Sequence, residues 1–113
     1  MNEISVDELY ELYLDTVGRC TSELLNRSDE EIQDDLFEEF DVGAHSFLHE
    51  DNLARLHHAG FIDDEMVALS KQVRERWLAL QNQSWSVEDI RTRNEWKELF
   101  GLCDLLKAKQ RLT

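Results

Sequence analysis

Four histidines crowd one stretch of the chain, at positions 45, 49, 57 and 58. His45 and His49 stand four apart, the spacing that stacks two imidazoles on one helix face as zinc ligands do. The run reads His-Ser-Phe-Leu-His, without the glutamate that follows the first histidine of the metalloprotease motif, and the flanking Glu50 and Asp51 do not supply it. Surface or partly buried histidines holding no metal are the expectation. Cys20 and Cys103 lie far apart with no Cys-x-x-Cys motif, and both fall on apolar stripes that bury and deactivate a thiol. Reduced, buried thiols follow. There is no Gly-x-Ser-x-Gly and no glycine-rich phosphate loop. The 25 carboxylates offer acid–base pairs by chance, but none stands among the contrasting polar groups that define a reactive pocket. These residues point away from catalysis, and no cofactor is expected.

The carboxylates are more informative by position. Between Ser28 and Gly43 nearly every residue that is not apolar is Asp or Glu. With Ile32 at the centre of an inner face, Glu31, Asp34, Asp35, Glu38 and Asp41 are assigned to the outer side. Glu30 and Glu39 flank them, and Phe37 sits at the edge of the inner face. Like charges four apart (Asp34 with Glu38, Asp35 with Glu39) cost a few tenths of a kcal/mol each, roughly, in an isolated helix. No lysine or arginine within the segment offsets them. A solvated face tolerates this. A partner bringing arginines and lysines relieves it.

The elements that position these groups are helical. Ser5 to Glu8 reads as a capping box, followed by Leu9, Tyr13, Val17, Cys20 and Leu24 on one face, which predicts a helix over about 6–25. Ser28 to Glu31 is a second box, opening a helix with Ile32, Leu36 and Phe40 inward that Gly43 is placed to end. Ser46 is the expected cap of a helix carrying Phe47, Leu48, Leu53 and Leu56, interrupted near Asp51-Asn52 and stopped by Gly60. Asp63-Asp64-Glu65 starts a helix of about five turns with Met66, Leu69, Val73, Trp77 and Leu80 inward. A short turn over 87–92, after a Ser86 cap, leads to a final helix over about 94–110 bearing Trp96, Leu99, Phe100, Cys103 and Leu106. Lys107, Lys109 and Arg111 suit its negative pole. Trp77 and Trp96 belong to the core. Trp85 either closes over the bundle end or stays exposed as an anchor, and closing is the reading favoured. The fold expected is all-α: one domain, residues 1–113, a compact bundle of four main helices plus one or two short ones.

Composition agrees. Proline is absent and glycine numbers four, too little turn punctuation for a β-rich domain. Hydrophobic residues at 42% are enough to drive folding. The net charge of −13 is unevenly spread. Residues 1–65 set Arg19, Arg27 and Arg55 against nineteen acids, whereas residues 66–113 are slightly basic. Such a field repels nucleic acid and anionic lipid and accelerates encounter with a basic partner. The first residues carry no charged-then-apolar leader, and no apolar run approaches the roughly 20 residues of a membrane span. A cytoplasmic protein is expected.

The stretch Trp85-Ser86-Val87-Glu88-Asp89-Ile90-Arg91, followed by Glu95-Trp96-Lys97-Glu98-Leu99, resembles the tail of some helical bacterial immunity proteins. Those families neutralise toxins of the contact-dependent inhibition and colicin types. The acidic second helix is similar in character to the toxin-binding helix of colicin-type immunity proteins, although their tyrosine-pair signature on a third helix is missing. The likeness covers about a quarter of the chain by pattern. It implies a stoichiometric inhibitor of a basic toxin domain, commonly a nuclease, held through Glu31, Asp34, Asp35, Phe37, Glu38 and Asp41. The alternatives are an acidic helical adaptor that binds a regulatory or nucleic-acid-binding protein, and a metal-dependent enzyme using His45 and His49.

Overall fold

The computed structural model describes residues 4–111, so the amino-terminal residues read above for a leader lie partly outside it. Among the described residues the chain is all-α, with no strand. In order come α1 (Val6–Gly18), a 3₁₀ helix (Ser22–Asn26), α2 (Asp29–Gln33), a π-helical stretch (Asp34–Phe40), α3 (Asp41–Ser46), α4 (Glu50–His58), α5 (Asp64–Leu80), α6 (Val87–Thr92) and α7 (Asn94–Arg111). Because α2, the π stretch and α3 run on without a break, they form one acidic helix over 29–46. With α1, α5 and α7 it makes the four main helices of the bundle.

Capping side chains open the helices where their types predict. Ser5 Oγ accepts from Glu8 N at 3.2 Å. Ser28 and Glu31 exchange both bonds of a capping box, as do Ser86 and Asp89. Asp63 Oδ1 accepts from Met66 N at 2.8 Å, a bond that with nearby Lys109 holds its carboxyl below the usual range. Each cap satisfies an amide that the first turn leaves without an intrahelical acceptor. α4 stops at Gly60, whose φ of +86° lets Phe61 N reach Leu56 O at 3.0 Å and Gly60 N reach His57 O at 3.0 Å. That pair of bonds is a Schellman motif, and glycine adopts its left-handed conformation without steric cost.

Three boundaries differ from the sequence expectation. α1 ends at Gly18, not near 25, because Ser22 N is taken by the Asp104 carboxylate at 2.9 Å in place of a helical carbonyl. Cys20 and Leu24 are nevertheless buried, carried inward by the turn and the 3₁₀ helix. Gly43 does not end the second helix. It is buried within α3, where a Cβ would stand 2.1 Å from Thr16 Oγ1, so its lack of a side chain permits α1 to approach. Ser46 closes α3, and the cap of α4 is His49, whose Nδ1 accepts from Asp51 N at 3.1 Å.

The core runs through all four main helices, from Leu9 and Tyr13 on α1 to Leu99 and Leu106 on α7. On α5 the buried stripe is Met66, Ser70, Val73, Trp77 and Leu80, with Leu69 only half-buried. Ser70 is admitted to the core because its hydroxyl bonds the Tyr13 hydroxyl at 2.8 Å, which satisfies two polar groups at once. Burial pushes the Tyr13 phenol up to about 12. At one end an aromatic cluster forms: Phe40 and Trp96 both meet Trp77 edge-on, at 5.0 and 5.9 Å. Trp85 closes over it, edge-on to Trp96 at 5.9 Å, with Nε1 donating to Leu80 O at 2.8 Å.

Candidate functional site

The acidic helix owes its geometry to a strict four-residue repeat. Ile32, Leu36, Phe40 and Ala44 are all fully buried. In an ideal α-helix each four-residue step drifts by about 40°, so Ala44 would stand about 120° away from Ile32. Bonds from residue i to i+5 in the π stretch widen the helix and remove that drift, as where Asp41 N reaches Leu36 O. All four apolar residues can then face the core together. Such π segments are concentrated at functional sites.

The widened helix sorts its carboxylates into three rows. On the α1 side, Asp35 is largely buried and receives Arg19 at 3.0 Å and Arg27 at 3.3 Å. On the α5 side, Asp41 accepts from Trp77 Nε1 at 2.8 Å and lies 3.3 Å from His45 Nε2. Asp35 and Asp41 therefore do not belong to the outer face to which the sequence reading assigned them. They fasten the helix to its neighbours: at about 100° per residue Asp35 already stands only about 60° from Ile32, and the π stretch brings Asp41 round from the far side. Between them runs the outer row, with Glu30, Asp34, Glu38 and Glu39 exposed. Among the described residues these four have no ion pair. Glu31 is exposed as well, and approaches Arg27 only to 3.9 Å.

Two apolar side chains interrupt this row. Val42 is 59% exposed and Phe37 38% exposed. Phe37 is anchored from below, its ring 5.7 Å from that of Trp77 and 6.3 Å from that of Trp96. It presents a firm apolar surface next to Glu38. Val42 was not among the residues expected at the site, because Asp-Val-Gly reads locally as a helix end. Its signal was the four-residue repeat, which carries the helix past Gly43 to Ala44.

Other acids are matched with cations only in part. Asp29 pairs with Arg91, Glu23 with Lys107, Asp63 and Glu65 with Lys109, Asp89 with Arg93, and Glu98 with Arg76, whereas Asp7, Glu8, Glu11, Glu75, Glu88 and Glu95 have no ion pair among the described residues. Lys107 and Lys109 thus serve long-range pairs as well as the pole of α7. On the α1 side of the acidic helix, a cleft of about 480 Å³ is lined by Leu14, Asp15, Arg19, Leu24, Arg27 and Asp35. Its two guanidinium groups are turned onto Asp35.

The histidine cluster is dispersed. His45 and His49 lie on different elements, the first beside Asp41 and the second capping α4. His57 Nε2 is 2.7 Å from an Asp64 carboxylate oxygen on the exposed surface. Cys20 and Cys103 are both free and fully buried. Among the described residues no group of three or more His, Cys, Asp or Glu is placed to hold a metal ion, and no helix is long and apolar enough to cross a membrane. No protein-family model, curated protein or solved structure matches the chain.

Proposed function

We propose that this chain is a non-catalytic binding protein that docks onto a basic surface of a partner protein through the outer row of its acidic helix. The contact residues are Glu31, Asp34, Phe37 and Glu38, joined by Val42. Asp35 and Asp41 act behind them by holding the helix in place. The observation that carries this reading is the concentration of exposed carboxylates on one helix, Asp34 and Glu38 among them without an ion pair, beside a supported aromatic ring. Carboxylates steer a cationic partner and fix its register, and a ring in contact with the core is a low-entropy anchor.

The partner class that fits is a nuclease toxin domain, neutralised in the cytoplasm in the manner of the immunity proteins that the sequence resembles. A nuclease surface must be basic to hold phosphates. The test has two arms. A nuclease-toxin reading frame should lie immediately upstream, and purified protein should suppress the nuclease activity of its product; the absence of such a frame would count against the toxin reading. Asp34→Lys with Glu38→Lys should weaken that complex at least tenfold, about 1.4 kcal/mol, while leaving the melting temperature nearly unchanged. Undiminished affinity in the double variant would reduce the acidic row to a solubilising surface. Binding to a regulatory protein, with the same charge sensitivity and no nuclease inhibited, would favour the adaptor reading.

A further inference from the structure

We infer that Cys20 and Cys103 form a modification site, a latent disulfide that ties the end of α1 to α7. Both thiols are free and fully buried in one core cluster, near enough for Cys103 to add to the effect of burial on the Cys20 thiol. The backbone around them is clamped in the same place. Ser22 N bonds Asp104 Oδ1 at 2.9 Å across 82 residues, and Lys107 Nζ reaches Glu23 at 3.3 Å. Neighbouring cysteines whose flanking residues are held together in this way need little backbone movement to bridge. Nothing in the docking surface uses them, so this inference stands independently of the proposed function.

Burial holds the Cys20 thiol protonated, well above its usual range, so the closed fold is unreactive. Reaction requires the segment between α1 and α2 to open. That segment is a turn and one 3₁₀ helix, the sort of element that opens well below the free energy of global unfolding. The oxidant is a small disulfide such as oxidised glutathione. One protein thiol loses its proton to solvent, attacks a sulfur of the small disulfide and expels one thiolate, leaving a mixed disulfide. The second protein thiol, deprotonated in turn, attacks the protein-side sulfur of that mixed disulfide and expels the second thiolate. Two protein thiols are oxidised as one small disulfide is reduced to two thiols.

The test is incubation of the full chain with oxidised glutathione at neutral pH, well below its unfolding midpoint, followed by an acid quench. The expected product is a monomer lighter by about 2 Da, with the Cys20 and Cys103 peptides linked in a non-reducing digest. Its melting temperature should rise by roughly 10 °C and fall back on reduction. Cys20→Ser and Cys103→Ser should each abolish the link and retain a single glutathione. Asp34→Lys with Glu38→Lys should oxidise like the unaltered chain. Stable glutathione adducts on the unaltered chain, cross-links between chains, or thiols still free after prolonged incubation would each overturn the inference. Because peptide mapping of the unaltered chain decides it, misfolding of a serine variant does not.

Discussion

Helix α7 and the acidic helix both bury a stripe of large side chains, yet they handle charge in opposite ways. α7 mixes signs and sends them outward to other elements: Lys107 to Glu23, Lys109 to Glu65, Glu98 to Arg76. The acidic helix spends only its margins on such contacts, through Asp29, Asp35 and Asp41. Its outer row makes no close ion pair, with Glu31 alone approaching Arg27. Since an exposed ion pair is worth only up to about 1 kcal/mol, stability gives little reason for that difference. The proposed docking gives one. A helix fixed at both edges and uncompensated along its crest is a rigid charged surface, and rigidity lowers the entropy lost when a partner binds.

The contrast is most easily broken where the two helices meet. Trp77 touches Phe37, Phe40 and Trp96 and donates to Asp41. Trp77→Ala should cost about 3–5 kcal/mol in chemical denaturation, by opening a cavity and releasing the floor under Phe37. Little loss of stability would mean that the acidic helix does not depend on the α5–α7 body. Next in size is Gly43→Ala. In most helix interiors this change stabilises by about 0.5–1 kcal/mol, but here the new Cβ meets buried Thr16, and a loss of about 1–3 kcal/mol is expected. A stabilised variant would show that α1 and the acidic helix are not in tight contact. The smallest effects separate the rows themselves. Asp35→Asn should cost about 1 kcal/mol, because it weakens two arginine contacts at a largely buried carboxylate. Glu38→Gln should stay within about 0.5 kcal/mol. Equal losses at the two positions would erase the distinction between margin and crest.

What the sequence disclosed, and what it concealed, divides along physical lines. Helix starts depend on a cap and its amide three residues on, so Ser28, Asp63 and Ser86 could be read directly. So could the inward stripes of α5 and α7, down to Trp77 and Trp96, except that Ser70 and not Leu69 is buried on α5. Gly43 was misread because a glycine after an acidic run has the local signature of a helix end, while its true reason is Thr16 on another helix. The roles of Ser46 and His49 were misread for a related cause: a histidine nitrogen can cap as a serine oxygen does. For the proposed site, the exposure of Asp34, Glu38 and Glu31 and the edge position of Phe37 were legible from polarity and spacing alone. The anchoring of Asp35 and Asp41 was not: it depends on partners 16 and 36 residues away and, for Asp41, on the π-helical widening.

Arg91 gives the arrangement a temporal consequence. Its guanidinium donates to Leu25 O at 2.7 Å, to Arg27 O at 2.9 Å and to Asp29 at 3.0 Å, fastening the start of the acidic helix from more than 60 residues downstream. On a translating ribosome the helix is made early, but this clasp and the Trp77 contact arrive with the last third of the chain. A nascent chain halted before Arg91 would expose the acidic segment without its tether. The acidic helix therefore acquires its full set of tertiary contacts only after residue 91 has been made.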